Sequence, residues 1–199
     1  MPNAAAELSL AAEADFPTRW GAFRILGFEL GTDSAVVLRH GDVSAPGPPP
    51  LLRIHSQCLT GDVFSSLRCD CRQQLELALE QITAAGRGLL IYEDKEGRGI
   101  GLMNKLRAYA LQDQGADTVE ANQRLGFAAD ARDYALPAAI LRHLGVRAVR
   151  LLSNNPEKIQ ALEQAGIQVA ERVACAPQPA SAHARKYLDV KRSKMGHLG

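Results

Sequence analysis

Cys58, Cys69 and Cys71, three of the four cysteines in this chain, fall in one short stretch, QCLTGDVFSSLRCDC (57–71). Thiolates in a reducing setting are natural ligands for zinc. Alternation along an extended segment places Cys69 and Cys71 on the same side, with Cys58 arriving through a loop. Three readings stand open. The trio holds a zinc that keeps one position for water; or it forms a structural site closed by His55; or the cysteines are small buried hydrophobes with no metal. Cys175 lies far downstream in a proline- and alanine-rich segment. Three thiolates on Zn²⁺ leave a net negative centre, a poorer Lewis acid than a three-histidine site. Catalytic use therefore requires a nearby base, acid or cation.

The chain offers such groups. EGRGIG (96–101) follows an apolar run and suits a turn whose backbone approaches a phosphate, with Arg98 as its cation. It also suits a plain strand-to-helix turn, and it is neither a Walker A nor a GxGxxG motif. SNNPEKI (153–159) repeats the theme, with Ser153 and Lys158 near a helix N-terminus, where anions bind. Two such turns favour a ligand with several phosphates. RIHS (53–56) adds a cation and a hydroxyl just before the cysteine segment. FAADARDYAL (127–136) gathers Asp130, Arg132 and Asp133, a carboxylate and cation for base and phosphate-clamp roles or a solvated charge cluster. Tyr109 sits among apolar neighbours at helical spacing, a position that reads as core or as acid.

These residues must be held by strands and helices that the pattern predicts in alternation. FRILGFEL and AVVLRHGDV read as two strands joined by the turn Gly31-Thr32-Asp33-Ser34, and APGPPP (45–50) as a proline-stiffened loop. LLRIHSQ reads as a short strand. RQQLELALEQITAAG reads as a helix with Leu75, Leu79 and Ile82 at helical period, stopped by Gly86. GLLIYE is a buried strand. GLMNKLRAYALQDQ is a helix with Leu102, Leu106 and Tyr109 or Ala110 on one face. A polar loop follows, then the helix LPAAILRHLG, the strand VRAVRLLS, the helix NPEKIQALEQAG and the strand IQVAERV. Such alternation predicts an α/β fold, one domain with a mixed β-sheet flanked by helices. Residues 1–15 read as a loose N-terminal leader and 16–199 as the catalytic domain.

Composition narrows the function classes. At 199 residues, 46% hydrophobic and 23% charged, the chain suffices for one substantial core. A net charge of +1 and the absence of aromatic stacking motifs argue against nucleic acid as a partner. The basic tail HARKYLDVKRSKMGH reads as a solvated terminal helix. No window is apolar enough for a membrane span, and the start lacks a signal peptide's basic region, so the expected setting is the cytoplasm.

Taken together, HSQCLTGDVFSSLRCDC, EGRGIGLMNKLRAYALQDQGADTVEANQRLGFAADARDY, LLSNNPEK and KMGHL closely resemble the GTP cyclohydrolase II family, from about PTRWG at 17 to the C-terminus. The resemblance implies the first committed step of riboflavin synthesis. GTP is converted to 2,5-diamino-6-ribosylamino-4(3H)-pyrimidinone 5′-phosphate, formate and pyrophosphate by a cytoplasmic homodimeric hydrolase. It implies Zn²⁺ on Cys58, Cys69 and Cys71, with water in the remaining position, and Mg²⁺ with the triphosphate. It implies GTP contacts at Arg53, Ile54, His55, Ser56, Gln57, Gln74, Glu96, Gly97, Arg98, Thr118, Ser153 and Lys158. Asp130 would be the base, Arg132 a nucleophile toward the α-phosphate or a clamp on it, and Tyr109 a participant in ring opening. A guanidinium is effectively always protonated, which favours the clamp. The chain departs from the family pattern at three places: HSQC for HSEC, EDK where an R-Q pair commonly precedes EGR, and ACAPQPASAHARK without the usual asparagine. A rival reading follows, a diverged paralogue that binds a purine nucleotide yet stalls, prefers another one, or is inactive.

Overall fold

The computed structural model describes residues 7–127 and 132–175. The two strands predicted on either side of Gly31–Ser34 are β2 (Gly21–Leu30) and β3 (Asp33–His40), with Asp33 and Ser34 in the strand rather than in the turn. Leu30 pairs with Asp33 across a turn that Gly31 enters at φ 61°, a conformation open to glycine at little cost. Next come β4 (Leu51–Ser56), α1 (Cys71–Ala84) and β5 (Gly88–Glu93). Then follow α2 (Leu102–Asp113), α3 (Thr118–Arg124), α4 (Ala135–His143), β6 (Ala148–Leu152), α5 (Pro156–Gln164) and β7 (Gln168–Val173).

With β1 (Leu8–Thr18), the described strands form one mixed sheet in the order β1-β2-β3-β5-β4-β6-β7. The β1, β2, β3 and β5 neighbours run antiparallel, and β5-β4, β4-β6 and β6-β7 run parallel. Both faces are covered around β4, β5 and β6, as the parallel part of an α/β sheet requires, whereas β1 is largely exposed. Leu136, Ile140 and Leu141 of α4 and Leu162 of α5 pack on one face, with Leu52, Ile54, Leu89 and Ile91. Ala78, Leu79 and Ile82 of α1 pack on the other, with Leu51 and Leu90.

Strand β4 is central, and its alternation builds the site. Leu51, Arg53 and His55 face α1, while Leu52, Ile54 and Ser56 face α4 and α5. The chain leaves β4 through α1 to β5 on one side, and β6 adds to the other. The carboxyl end of β4 is therefore a topological switch point, where α/β sheets open a crevice.

Three expectations differ from the structure. Residues 8–15 are not a loose leader: they belong to β1, paired with the edge of β2. Glu13 accepts from Arg24 at 2.8 Å and from Arg39 at 2.7 Å, and Asp15 accepts from Arg24 at 2.6 Å. Cross-strand charges hold a segment whose alanines show no strand period. The polar stretch after α2 contains α3, opened by a capping box in which Asp117 accepts from the Val119 and Glu120 amides and Glu120 reaches back. Finally, the expected apolar face of α2 is not core. Met103 and Leu106 are exposed, and the buried residue is Ala108, which packs with Ala116 and Ala121 because α2 leans on α3 rather than on the sheet.

Candidate functional site

The thiols converge where β4 ends. The Gln57 amide donates to the Glu93 carbonyl at 2.9 Å, after which the chain turns through a single π-type turn, Leu59–Val63. Cys58 sits just before that turn, Cys69 in the loop behind it, and Cys71 is the first residue of α1. The expected extended Cys69–Cys71 segment is therefore a loop leading into a helix. The three sulfurs lie within 4.8 Å of one another, with Cys58 Sγ and Cys69 Sγ 3.7 Å apart. The edge of a tetrahedral zinc–thiolate site is about 3.8 Å, so the spacing fits.

Two further features support a metal here. A Cβ on Gly61 would lie 2.9 Å from Cys69 Sγ, 3.1 Å from Cys58 Sγ and 3.1 Å from Cys71 Cβ, so only a glycine leaves room beneath the trio. Without a cation the thiols also conflict electrostatically. Bonds from the Cys69 and Cys71 thiols, then the Lys105 cation, hold Cys58 far below the ordinary thiol range. Facing that thiolate, Cys69 is pushed up to about 11 and Cys71 well above its usual value. A divalent cation removes the conflict by taking all three as thiolates.

His55 does not close the cluster. It is buried, its Nε2 faces both Asp62 carboxylate oxygens at 3.2 Å, and its ring stacks on Tyr92 with centroids 5.5 Å apart. Burial lowers its pKa, so the ring stays neutral near pH 7. Among the described residues, the trio alone forms a metal-capable cluster. Cys175 lies instead in the apolar core beneath α1.

A scaffold that sequence reasoning missed surrounds the trio. Asp62 also accepts from the Cys58 amide at 3.0 Å and from the Tyr92 hydroxyl at 2.8 Å. Lys105 Nζ lies 3.1 Å from Cys58 Sγ and 2.7 Å from Glu96 Oε1. Burial opposes its charge, but Glu96 and the Cys58 thiolate outweigh burial and hold its pKa above the ordinary lysine value. Glu96 Oε2 accepts from the Leu59 amide at 2.7 Å, so this carboxylate fastens the thiol turn to α2. The one available signal for Lys105 was its i, i+4 spacing to Tyr109. Tyr109 OH meets Thr60 Oγ1 at 3.2 Å, and Thr60 Oγ1 lies 3.6 Å from Cys58 Sγ. Burial raises the Tyr109 pKa, so the phenol keeps its proton.

One cavity joins this centre to the remaining predicted residues. Arg53, His55, Ser56, Gln57, Gln74, Glu96, Gly97, Arg98, Tyr109, Thr118, Arg132, Ser153 and Lys158 all border it, as do the unpredicted Arg68, Lys105, Asn122, Asn154 and Asn155. Ile54 is the exception, a core side chain that offers only its carbonyl, which accepts from Lys158 Nζ at 2.7 Å. Asp130, the KMGHL motif and the basic tail lie outside the described residues. Arg53 donates to the Leu152 carbonyl at 3.0 Å and to Gln74, whose amide in turn donates to Asp70. Arg132 Nη1 donates to Ser56 Oγ at 3.1 Å. Asn155 caps α5 with its side-chain oxygen, which accepts from the Glu157 backbone amide at 3.0 Å, and its backbone N–H donates to Ser153 Oγ at 3.1 Å. The Gly97–Arg98 turn is left-handed at both residues, with φ of 62° and 63°. Asp94 and Lys95, two of the family departures, stay off the cavity. Asp94 is exposed, and Lys95 pairs with Asp33 at 2.7 Å and Asp133 at 3.1 Å.

The family profile of GTP cyclohydrolase II matches residues 9–174. The chain belongs to the GTP cyclohydrolase II family. It is 55% identical over 197 residues to the GTP cyclohydrolase-2 of Enterobacter sp. (strain 638), covering 96% of this chain and 98% of that one. It is 56% identical to the GTP cyclohydrolase-2 of Escherichia fergusonii, at 96% and 97% coverage. Among solved structures, a two-domain 3,4-dihydroxy-2-butanone 4-phosphate synthase from A. baumannii aligns over 85% of this chain and 40% of its own, at 17% identity and a TM-score of 0.48. Within the described part of this GTP cyclohydrolase II-like chain, no helix is long and apolar enough to cross a membrane.

Proposed function

We propose that this chain is a working GTP cyclohydrolase II, converting GTP to the diaminopyrimidinone 5′-phosphate, formate and pyrophosphate in riboflavin biosynthesis. The observation that carries the reading is the joining, in one cavity, of the Cys58–Cys69–Cys71 trio with the cations Arg53, Arg98, Arg132 and Lys158. The trio would hold Zn²⁺, which when bound supplies Lewis acidity and an activated water for hydrolysing the C–N bonds around C8 of the guanine. The protein's own groups do the rest. The protonated Tyr109 phenol, held by Thr60 beside Cys58, donates a proton at the opening ring. Lys105 and Glu96 keep the thiol turn in place against α2. Glu96 thus serves the thiol turn at least as directly as the substrate.

For pyrophosphate loss, Lys158, Ser153 and the N-terminus of α5 receive phosphate oxygens, with Mg²⁺ accompanying the triphosphate. Arg132, placed by Ser56, clamps the α-phosphate as a cation, the role its permanent charge favours. Asp130 is the base of this reading. Arg53, His55, Gln57, Gln74, Gly97, Arg98 and Thr118 complete the GTP contacts. The catalytic unit runs from β1 onward rather than from residue 16, and it works as a homodimer.

The test is to incubate the zinc-loaded protein with GTP and Mg²⁺ and to quantify both small products. Equimolar formate and pyrophosphate are expected. Pyrophosphate without formate would establish the stalled paralogue instead, and binding without either product would reduce the chain to a nucleotide-binding protein.

A further inference from the structure

Glu93 ends β5 as a fully buried carboxylate, and among the described residues neither of its oxygens has a hydrogen-bond partner. An ionised group in that position is costly unless opposite charges face it. It lies in register with Ser56 of β4, on the face toward α4 and α5. Ser56 is the residue on which Arg132 rests, and Lys158 bonds the Ile54 carbonyl two residues earlier on the same strand. Among the described residues, the charged groups acting on Glu93 are Lys158 from α5, Lys95 just beyond β5, and Arg132 and Asp133 from the segment before α4. Lys95 is already committed to Asp33 and Asp133. Glu93 does not border the cavity itself, whereas Ser56, Arg132 and Lys158 do. It therefore lies behind the cations to which the proposed function assigns the triphosphate.

We propose that Glu93 is a positioning residue that acts as counter-ion to Lys158 and Arg132 in the empty site and takes up a proton when a nucleoside triphosphate replaces it in that role. This rests on the phosphate reading given above and adds a proton-linked step to it. Between turnovers, the carboxylate offsets part of the positive charge that these two cations bring to the site. On arrival, the phosphates bring several negative charges to the same cations, and a buried carboxylate beside them becomes unfavourable. The proton comes from solvent, and no bond to the substrate forms or breaks. Burial already pushes the Glu93 carboxyl up to about 7 against the pull of Lys158, Lys95 and Arg132, so the proton changes hands near neutrality.

The experiment is calorimetric titration of the zinc-loaded protein at pH 8 with the Mg²⁺ complex of a 7-deaza-GTP carrying an α,β-methylene bridge. That analogue resists both ring opening and pyrophosphate loss, and its phosphates are fully ionised at this pH. Repeating the titration in buffers of different ionisation enthalpy counts protons. Uptake of about one proton per chain is expected. Glu93→Gln should bind about tenfold tighter than wild type at pH 8, with almost no uptake, and the two should converge at pH 6. Tight binding by wild type without uptake overturns this inference and leaves the phosphate reading intact, whether or not the variant folds. Uptake that persists in Glu93→Gln assigns the proton elsewhere and overturns it too. Failure of the analogue to bind at all would overturn the phosphate reading, and this inference with it.

Discussion

Replacing Gly61 with alanine tests the thiol centre without touching a ligand. The new Cβ would sit 2.9 Å from Cys69 Sγ and 3.1 Å from Cys58 Sγ. Ordinary carbon–sulfur contact is roughly 0.6 Å longer, so the sulfurs or the turn must give way. Metal ligation tolerates only about 0.2 Å of ligand displacement. Overpacking of this kind costs about 1–3 kcal/mol, which in binding terms is roughly a 5- to 150-fold loss of zinc affinity. Without metal, the three thiols can rotate away, so the metal-free protein should lose much less stability than the zinc-loaded one. Competition with a chromophoric chelator reads the affinity, and thermal unfolding with and without chelator reads the second part. Wild-type zinc affinity in Gly61→Ala would refute the claim that the trio closes on a metal over this glycine.

Three further outcomes are expected. Gln57→Glu, which restores the family's charge beside Cys58, should raise kcat/KM for GTP about ten- to thirty-fold with zinc content unchanged. Lower activity would mean the position is tuned to another purine nucleotide, for which ATP, ITP and XTP are the screen. Lys105→Met removes the cation from Cys58 Sγ and Glu96, and should cost about 10- to 100-fold in kcat/KM or zinc affinity while the fold persists by circular dichroism. Glu93 also shapes stability against pH: its carboxyl rises from 4.5 to about 7 on folding, so the folded chain binds the extra proton between those values. Stability should therefore fall by up to about 3 kcal/mol as pH rises from 4.5 to 7, a slope that denaturant titrations should find absent in Glu93→Gln.

Much of this site was legible because its residues obey local rules. Pro156 behind Asn155 announced the start of α5, and with it the placement of Ser153 and Lys158 at a helix N-terminus. The strand reading of LLRIHSQ carried the cation and hydroxyl of RIHS to the edge of the cysteine segment, where β4 ends. The thiol spacing pointed to a metal-capable trio, though not to the path by which the sulfurs meet. That path depends on a π-type turn and a helix start, which no periodicity encodes. Asp62 escaped notice because its importance comes from three partners that are distant or unremarkable in sequence: His55, the Cys58 amide and Tyr92. The strand at 8–18 was hidden because its side chains are mostly exposed, and what ties it to β2 is the backbone ladder, with Glu13 and Asp15 adding ion pairs to arginines on neighbouring strands. The capping box at Asp117 and Glu120 was readable, and α3 with it.

Whether this chain opens the imidazole ring of GTP can be read by following one carbon atom. GTP labelled with ¹³C at position 8 is incubated with the zinc-loaded protein and Mg²⁺, and the label is watched by NMR. With wild-type protein the purine C8 signal should disappear into formate at the rate of pyrophosphate release, and Cys69→Ser, having lost its zinc, should leave the label in the ring. A C8 signal that stays in the purine while wild-type protein turns over the triphosphate would contradict zinc-dependent ring opening, as would formate formation undiminished in Cys69→Ser.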